Sequence, residues 1–281
     1  MALPNNFDLQ DFIERVLGED LGKGGDVTSI ATIDEGVRFT AEMNARQAMV
    51  IAGIEIASAF FRKLDPDVEI EQFAEDGERV GRNAMLLRLR GNARAMLTAE
   101  RSALNTLQHL SGIATMVRQY VDAIEGTGAV LLDTRKTLPG LRILEKFAAR
   151  MGGAHNHRMR LDDGVLIKDN HVAVCGGVAA AVRRAKSAQT GLQIQVEVDR
   201  LDQIEPALSA GADRLLLDNM DPAMLREAVR IVNRRVPLEA SGGVTLETIR
   251  FLAETGVDFI SVGRITQSAP AVDIGLDYSI N

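Results

Sequence analysis

From Ala129 onward, short β-branched or leucine-rich runs alternate with amphipathic segments of ten to fifteen residues, and this alternation limits the fold more than any other feature. The strand candidates are Val130–Leu132, Val165–Ile167, Ile194–Val198, Arg214–Leu217, Leu238–Ala240 and Phe259–Val262. The intervening helices fall at roughly 140–151, 175–188, 201–210, 221–234 and 245–255. Apolar strands separated by helices indicate a buried parallel sheet. Six such units suit either a doubly wound sheet or a barrel, and an eightfold barrel needs two more. No glycine-rich dinucleotide fingerprint comes after the first strand, which disfavours the Rossmann alternative.

The chain before this region is written differently. Asp8–Leu17 reads as an amphipathic helix, Val37–Asn44 and Gln47–Ala52 as paired strands, and Ile54–Leu64 as a second helix. Val68–Phe73 and Met85–Arg90 complete an antiparallel sheet, with Glu75-Asp76-Gly77 as a turn. Ala93–Glu125 is helical in pattern, with a break expected at Ser111-Gly112 that serves as the domain boundary. The expected division is therefore residues 1–112, residues 113–270, and a tail, 271–281, that packs back on the first domain.

The residues at the end of each strand in the second region carry the chemistry. The first strand runs into Asp133-Thr134-Arg135-Lys136 and the second into Lys168-Asp169-Asn170-His171. The third contains Glu197, the fourth ends in Asp218-Asn219, the fifth gives Ser241-Gly242-Gly243, and the sixth gives Gly263-Arg264. In a parallel α/β barrel all these ends share one face, so their side chains converge. Between Arg135 and Lys168 there are eight Lys or Arg residues against three acids, a formal +5 within a protein of net charge −7. Arg142, Lys146 and Arg150 lie at helical spacing and read as a solvated face. Arg135, Lys136, Arg158 and Lys168 instead sit at strand ends or in the Gly-Gly-Ala-His-Asn-His-Arg loop, where guanidinium forks can grip carboxylate or phosphate. Glu197 and Asp218 can accept bonds from sugar hydroxyls or help hold a hydrated Mg²⁺. Ser241-Gly242-Gly243 and Gly263 let backbone N–H groups approach a phosphate closely.

Composition narrows the partners. With a net charge of −7, no tryptophan and only 4% aromatic residues, the chain offers neither the field nor the stacking platforms of a nucleic-acid binder. No apolar run approaches the eighteen or so residues of a membrane-spanning helix, and the acid-bearing start is not a secretory signal. Cys175 stands alone and implies no disulfide. The expected setting is the cytoplasm.

Several residues have plainer readings. Lys168 could be a surface lysine, Glu197 could pair with a buried base, and Asp218 could cap the helix after it. His155, His157 and His171 invite a zinc reading, but no third ligand in a recognisable pattern follows His155-Asn-His157. Arg101, far from the strand ends in sequence, reads by itself as a helix-surface arginine paired with Glu100 or a neighbour.

Three stretches carry a resemblance. Ala99-Glu-Arg-Ser-Ala-Leu-Asn-Thr-Leu-Gln-His-Leu-Ser-Gly-Ile-Ala-Thr115, Asp133-Thr-Arg-Lys-Thr-Leu-Pro-Gly-Leu-Arg142 and the block from Gly152 to His171 closely resemble quinolinate phosphoribosyltransferase. Val196-Glu-Val-Asp199, Leu217-Asp-Asn219, Glu239-Ala-Ser-Gly-Gly243 and Ser261-Val-Gly263 come next, in the family's order. The resemblance spans nearly the whole chain. It implies an N-terminal α/β sandwich followed by an incomplete, open α/β barrel of TIM-like kind. It further implies a homodimer, which could assemble into a hexamer, in which the sandwich of one subunit caps the barrel of the other.

The implied reaction joins quinolinate to 5-phosphoribosyl 1-pyrophosphate with Mg²⁺, releasing pyrophosphate and CO₂. By motif, Arg101, Arg135, His157, Arg158 and Lys168 surround the dicarboxylate, and Thr134 and Lys136 belong to the same anion-binding strand end. Glu197 and Asp218 address the ribose and the metal, directly or through water or phosphosugar. Ser241, Gly242, Gly243, Val262, Gly263 and Arg264 form the 5′-phosphate cradle, and Lys168, Glu197 and Asp218 are the residues expected to carry catalysis. Three rivals stay open: a transferase-like relative linked to molybdenum uptake, a barrel aldolase with Lys168 as Schiff base, and a non-catalytic metabolite sensor.

Overall fold

A computed structural model describes residues 3–4 and 7–279. Helices α1 (Leu9–Leu21) and α2 (Val27–Thr32) lead into β1 (Arg38–Ala45), β2 (Met49–Val50) and α3 (Ile54–Leu64). Strands β3 (Glu69–Gln72), β4 (Arg79–Val80) and β5 (Met85–Asn92) precede the 31-residue helix α4 (Ala93–Ala123). The strand–helix alternation then runs β6 (Val130–Leu132), α5 (Arg142–Gly152), β7 (Val165–Ile167), α6 (Asp169–Cys175), α7 (Val178–Ser187), β8 (Ile194–Val198) and α8 (Ile204–Ala210). It continues with β9 (Arg214–Asp218), α9 (Pro222–Val232), β10 (Leu238–Ser241), α10 (Ile249–Ala253), β11 (Phe259–Ser261) and α11 (Arg264–Gln267), before a last strand, β12 (Ile274–Ser279).

By packing, the chain divides into two units. The first comprises the chain up to Val117, Ile143–Gly153 and the residues from Ser268 on; the second comprises Arg118–Arg142 and Ala154–Gln267. The boundary expected at residue 112 thus falls inside α4.

The first unit is built on an antiparallel sheet of order β12-β1-β5-β3. Strand β1 alternates strictly, burying Ala41, Met43 and Ala45 on one face, as a half-buried strand must. Helix α3 contributes Ile56, Phe60 and Phe61 to the core, and α1, capped by the Asp8 carboxylate on the Asp11 N–H, adds Phe12, Ile13 and Leu17. Two expectations need correction. Strand β2 pairs with β4 and not with β1, because β1 is already bonded on both edges, by β5 and by β12. Helix α4 runs unbroken through Ser111-Gly112. A Cβ on Gly112 would lie 2.1 Å from the Pro270 carbonyl, so this glycine permits a close backbone approach and does not break the helix. Ser111 in turn accepts the Ala52 N–H at 3.0 Å.

The second unit is one parallel six-stranded sheet of order β6-β11-β10-β9-β8-β7. From β7 to β11 each strand lies beside its sequence neighbour, and β11 then meets β6. A doubly wound sheet reverses direction at a switch point, whereas this order advances one way only and so winds a barrel. Among the described residues β6 and β7 do not pair with each other, so the barrel is open at that seam, where His155 makes a single parallel bridge to Leu132. The helix expected at 175–188 is α7, and a further short helix, α6, precedes it, separated from it by Gly176 and Gly177, both at positive φ. No helix among the described residues is long and apolar enough to cross a membrane.

Candidate active site

The carboxyl ends of the barrel strands open into a cavity of about 820 Å³. The strands reach it with the period of two that side-chain alternation requires: Leu166 and Lys168, Leu216 and Asp218, Glu239 and Ser241, Ser261 and Gly263 all line it. The intervening Ile167, Leu217 and Ala240 are buried, whereas Val262, between Ser261 and Gly263, also lines the cavity. Of the residues singled out from the sequence, the structure brings fourteen to this cavity, from Thr134, Arg135 and Lys136 through to Val262, Gly263 and Arg264. Arg101 is not among the lining residues; it stands exposed on α4 in the first unit.

One end of the cavity is cationic. The loop after α5 is held by Asp133, which is fully buried and accepts hydrogen bonds from the Asn156 side chain and, at 2.8 Å, from the His157 backbone N–H. That loop sets Arg158 beside Arg135. Burial and the Arg135 guanidinium together lower Arg158's affinity for its proton, a sign that two like charges have been placed close together. The Arg135 Nε–H is itself buried and makes no hydrogen bond among the described residues. A buried donor without an acceptor is costly, and a bound carboxylate would satisfy it.

The other end is acidic. Glu197 and Asp218 sit on adjacent strands, and burial raises both carboxyl groups above the usual range. Asp218 pushes Glu197 further up, while Lys168 draws both back down. The Asp169 N–H, in the first turn of α6, donates to Glu197. The plainer readings of these acids fail. Asp221, not Asp218, caps α9, accepting the Ala223 and Met224 N–H groups at 2.9 Å each. The strand carboxylate that pairs with a buried base is Glu239 on β10, whose Oε2 is 2.7 Å from Arg214.

The glycines complete the third side. Gly242 has φ of +97°, and a Cβ there would lie 2.2 Å from the Asn219 side-chain oxygen. Gly243 comes next at φ +58° with open space before it. At Gly263 a Cβ would meet Lys136 Cδ at 2.6 Å, so the absent side chain gives that lysine its room. Arg264 lines the cavity and donates to the buried Tyr120 hydroxyl.

Residues not singled out from the sequence as site residues also line the cavity: Asn219, Glu239, Ser261 and Gln267. Glu239 left a signal in the sequence, an acid between two buried apolar neighbours, Leu238 and Ala240.

Sequence comparison then decides the family. Residues 26–111 match the N-terminal domain of quinolinate phosphoribosyl transferase and residues 113–277 match its C-terminal domain. The chain belongs to the quinolinate phosphoribosyltransferase family. It is 44% identical over 276 residues to the carboxylating nicotinate-nucleotide pyrophosphorylase of Mycobacterium leprae, covering 95% of this chain and 96% of that one. Among solved structures, the nicotinate-nucleotide pyrophosphorylase from Ehrlichia chaffeensis superposes with a TM-score of 0.94 at 40% identity, covering 98% of this chain and 100% of the other. The Francisella tularensis enzyme gives 0.93 at 38% identity, with 99% and 100% coverage. These matches run over nearly the full length of the chain.

Proposed function

We propose that this member of the quinolinate phosphoribosyltransferase family transfers phosphoribosyl from 5-phosphoribosyl 1-pyrophosphate to quinolinate, with loss of CO₂, to give nicotinate mononucleotide. The reading is carried by the division of charge within one cavity. Paired guanidinium groups, Arg135 and Arg158, face a half-buried acid pair, Glu197 and Asp218, with Lys168 near the acids. A small aromatic dicarboxylate suits the first end and a sugar with developing positive charge suits the second.

The residues then have distinct tasks. Arg135 and Arg158 hold the dicarboxylate in the fork geometry that guanidinium groups favour, orienting the pyridine nitrogen toward the sugar. Ser241, Gly242, Gly243 and the backbone at Val262–Gly263 receive the 5′-phosphate, and Thr134 and Lys136 face it from β6's end. Glu197 and Asp218 bind the ribose hydroxyls, and their negative charge stabilises the cationic character that builds at the ribose carbon as its bond to pyrophosphate lengthens. The pyridine nitrogen forms the new bond to that carbon. The ring so becomes a pyridinium, whose positive nitrogen stabilises the electron pair left on the adjacent ring carbon when its carboxylate departs as CO₂, and that carbon then takes up a proton from solvent.

The described residues contain no cluster of three metal-binding side chains, but the two raised carboxylates of Glu197 and Asp218 suit a hydrated Mg²⁺ shared with phosphosugar oxygens. Bound there, the ion would supply neutralising charge for the departing pyrophosphate. Arg101 serves the site of the partner subunit in a cytoplasmic homodimer. The purified protein, given quinolinate and 5-phosphoribosyl 1-pyrophosphate with Mg²⁺, is expected to release nicotinate mononucleotide and CO₂ in equal amounts. A folded protein that makes neither overturns the reading.

A further inference from the structure

At the wall of the cavity lies a polar network that the proposed chemistry does not use. Glu239 is fully buried on β10, in the middle of the barrel wall. Its Oε2 accepts a hydrogen bond from Gln195 on β8 at 2.8 Å and lies 2.7 Å from Arg214 Nη2 on β9, an oblique contact that is an ion pair and not a full hydrogen bond. Arg214 is braced from the other side by the Phe259 ring on β11, 3.9 Å from the guanidinium carbon. Four successive strands thus contribute to one layer. A buried ion pair adds little to stability, since well-packed apolar residues would serve as well or better. Its presence at the wall of a ligand cavity calls for another reason.

The reason lies at the fourth contact. His157 Nε2 is 3.4 Å from Glu239 Oε2. The other ring nitrogen, Nδ1, accepts the Arg158 backbone N–H at 2.7 Å. A nitrogen that accepts a hydrogen bond carries no proton, so the neutral ring must hold its proton on Nε2. That proton lies toward the carboxylate, 3.4 Å away by its nitrogen, and Nε2 has no other partner among the described residues.

We propose that Glu239 is a positioning residue: it holds the His157 ring as the Nε2–H tautomer, and through the ring's other nitrogen it fixes the Arg158 backbone and so the Arg158 guanidinium that meets the substrate. Arg214 and Gln195 are the counter-charge and donor that keep the carboxylate ionised inside the barrel. Burial alone would raise Glu239, but His157, Arg214 and Ser261 outweigh it and keep the group below the usual carboxylate range. The site therefore gains a fixed backbone at Arg158, beside Arg135. The arrangement resembles the carboxylates that orient metal-binding histidines, where loss of the carboxylate weakens ligand binding without removing a ligand.

The inference rests on the proposed transferase reading, and its test separates the two. Nitrogen-15 NMR of ring-labelled histidine in the full-length wild-type protein is expected to show His157 as the Nε2–H tautomer. The Nδ1–H tautomer, or a doubly protonated ring, overturns the proposal whatever any variant does. Glu239→Gln, which keeps the shape and removes the charge, is expected to mix the His157 tautomers and to raise KM for quinolinate by about tenfold or more, with KM for the phosphosugar nearly unchanged. Equal losses for both substrates, or an unchanged tautomer signal, would mean the network is structural only. If wild-type protein yields no nicotinate mononucleotide, the transferase reading fails instead, and the tautomer measurement still stands on its own.

Discussion

Asp133 and His157, which lie 24 residues apart, are joined by a 2.8 Å hydrogen bond from the His157 backbone N–H to the Asp133 carboxylate. The same carboxylate accepts from the Asn156 side chain, so one buried acid at the end of β6 fixes the loop that presents Arg158. Replacing Asp133 by alanine leaves the His157 N–H without its acceptor, at a cost of about 1.5–3 kcal/mol for each charged hydrogen bond lost. The expected outcome is a lower melting temperature together with a larger loss of quinolinate affinity than of phosphosugar affinity. Thermal unfolding and steady-state kinetics on the same preparation check it.

The glycine cradle makes a graded prediction. Gly242 combines positive φ with a contact that any side chain would violate at 2.2 Å, against Asn219, which is itself at φ +55°. Gly263 is crowded only by Lys136 Cδ, the middle of a flexible chain. Gly242→Ala should therefore cost more than Gly263→Ala in both stability and affinity for 5-phosphoribosyl 1-pyrophosphate. Equal effects would show that the loop relaxes freely and that backbone shape there does not matter.

Arg135 and Lys168 are predicted to be needed for turnover and not for folding. Loss of either positive group should lower kcat/KM by about 100-fold or more, since each addresses charge in a partly desolvated cavity. Arg135→Lys should recover little, because an ammonium cannot reproduce the two parallel donors of a guanidinium. A circular dichroism spectrum unchanged from wild type, with activity lost, is the expected pair of readings. Near-normal activity in either variant would remove that residue from the site.

Glu197 and Asp218 give a prediction with a definite sign in pH. Burial, and for Glu197 the neighbouring Asp218, raises both groups in the folded protein, so the fold favours their protonated forms. A group raised on folding contributes stability that is fully present below its unfolded pKa and is lost as pH rises through its folded pKa. At pH 7 both acids are consequently a burden on the fold. Glu197→Gln and Asp218→Asn should raise the melting temperature at neutral pH while abolishing turnover, and the gain should shrink below about pH 4, where the wild-type carboxyls are protonated as well. Denaturation at the two pH values distinguishes this from a simple loss of packing, which would lower stability at both.

Much of the barrel was legible because its signals are local. Each strand run ends in a polar or glycine-rich pair, and in a one-way barrel order every such end reaches the same face. The features that escaped depend on distant partners. Ser111-Gly112 reads as a break until Pro270 is seen beside the glycine, and β12 finds β1 across more than two hundred residues with no local cue. Glu239 is one acid in an apolar run, and its meaning depends on Gln195, Arg214 and His157, each from a different segment. Asp218 reads from the sequence as a candidate cap of the helix after it, and only geometry assigns that role to Asp221.

Arg101 supports the last prediction, which concerns assembly. It is exposed on α4 and does not line the cavity formed by the second unit of its own chain. In a dimer with shared sites, Arg101→Ala and Lys168→Ala each inactivate both sites of a homodimer, but for complementary reasons. A mixed dimer restores one complete site, with Lys168 from one subunit and Arg101 from the other, and its second site lacks both. Random reassociation of equal amounts makes half the dimers mixed, so about a quarter of wild-type activity should return. If each subunit used its own Arg101, every site in every combination would lack one group and nothing would return. Mixing the two inactive proteins under conditions that allow subunit exchange therefore tests the shared site directly, and a mixture that stays inactive while mixed dimers form rules it out.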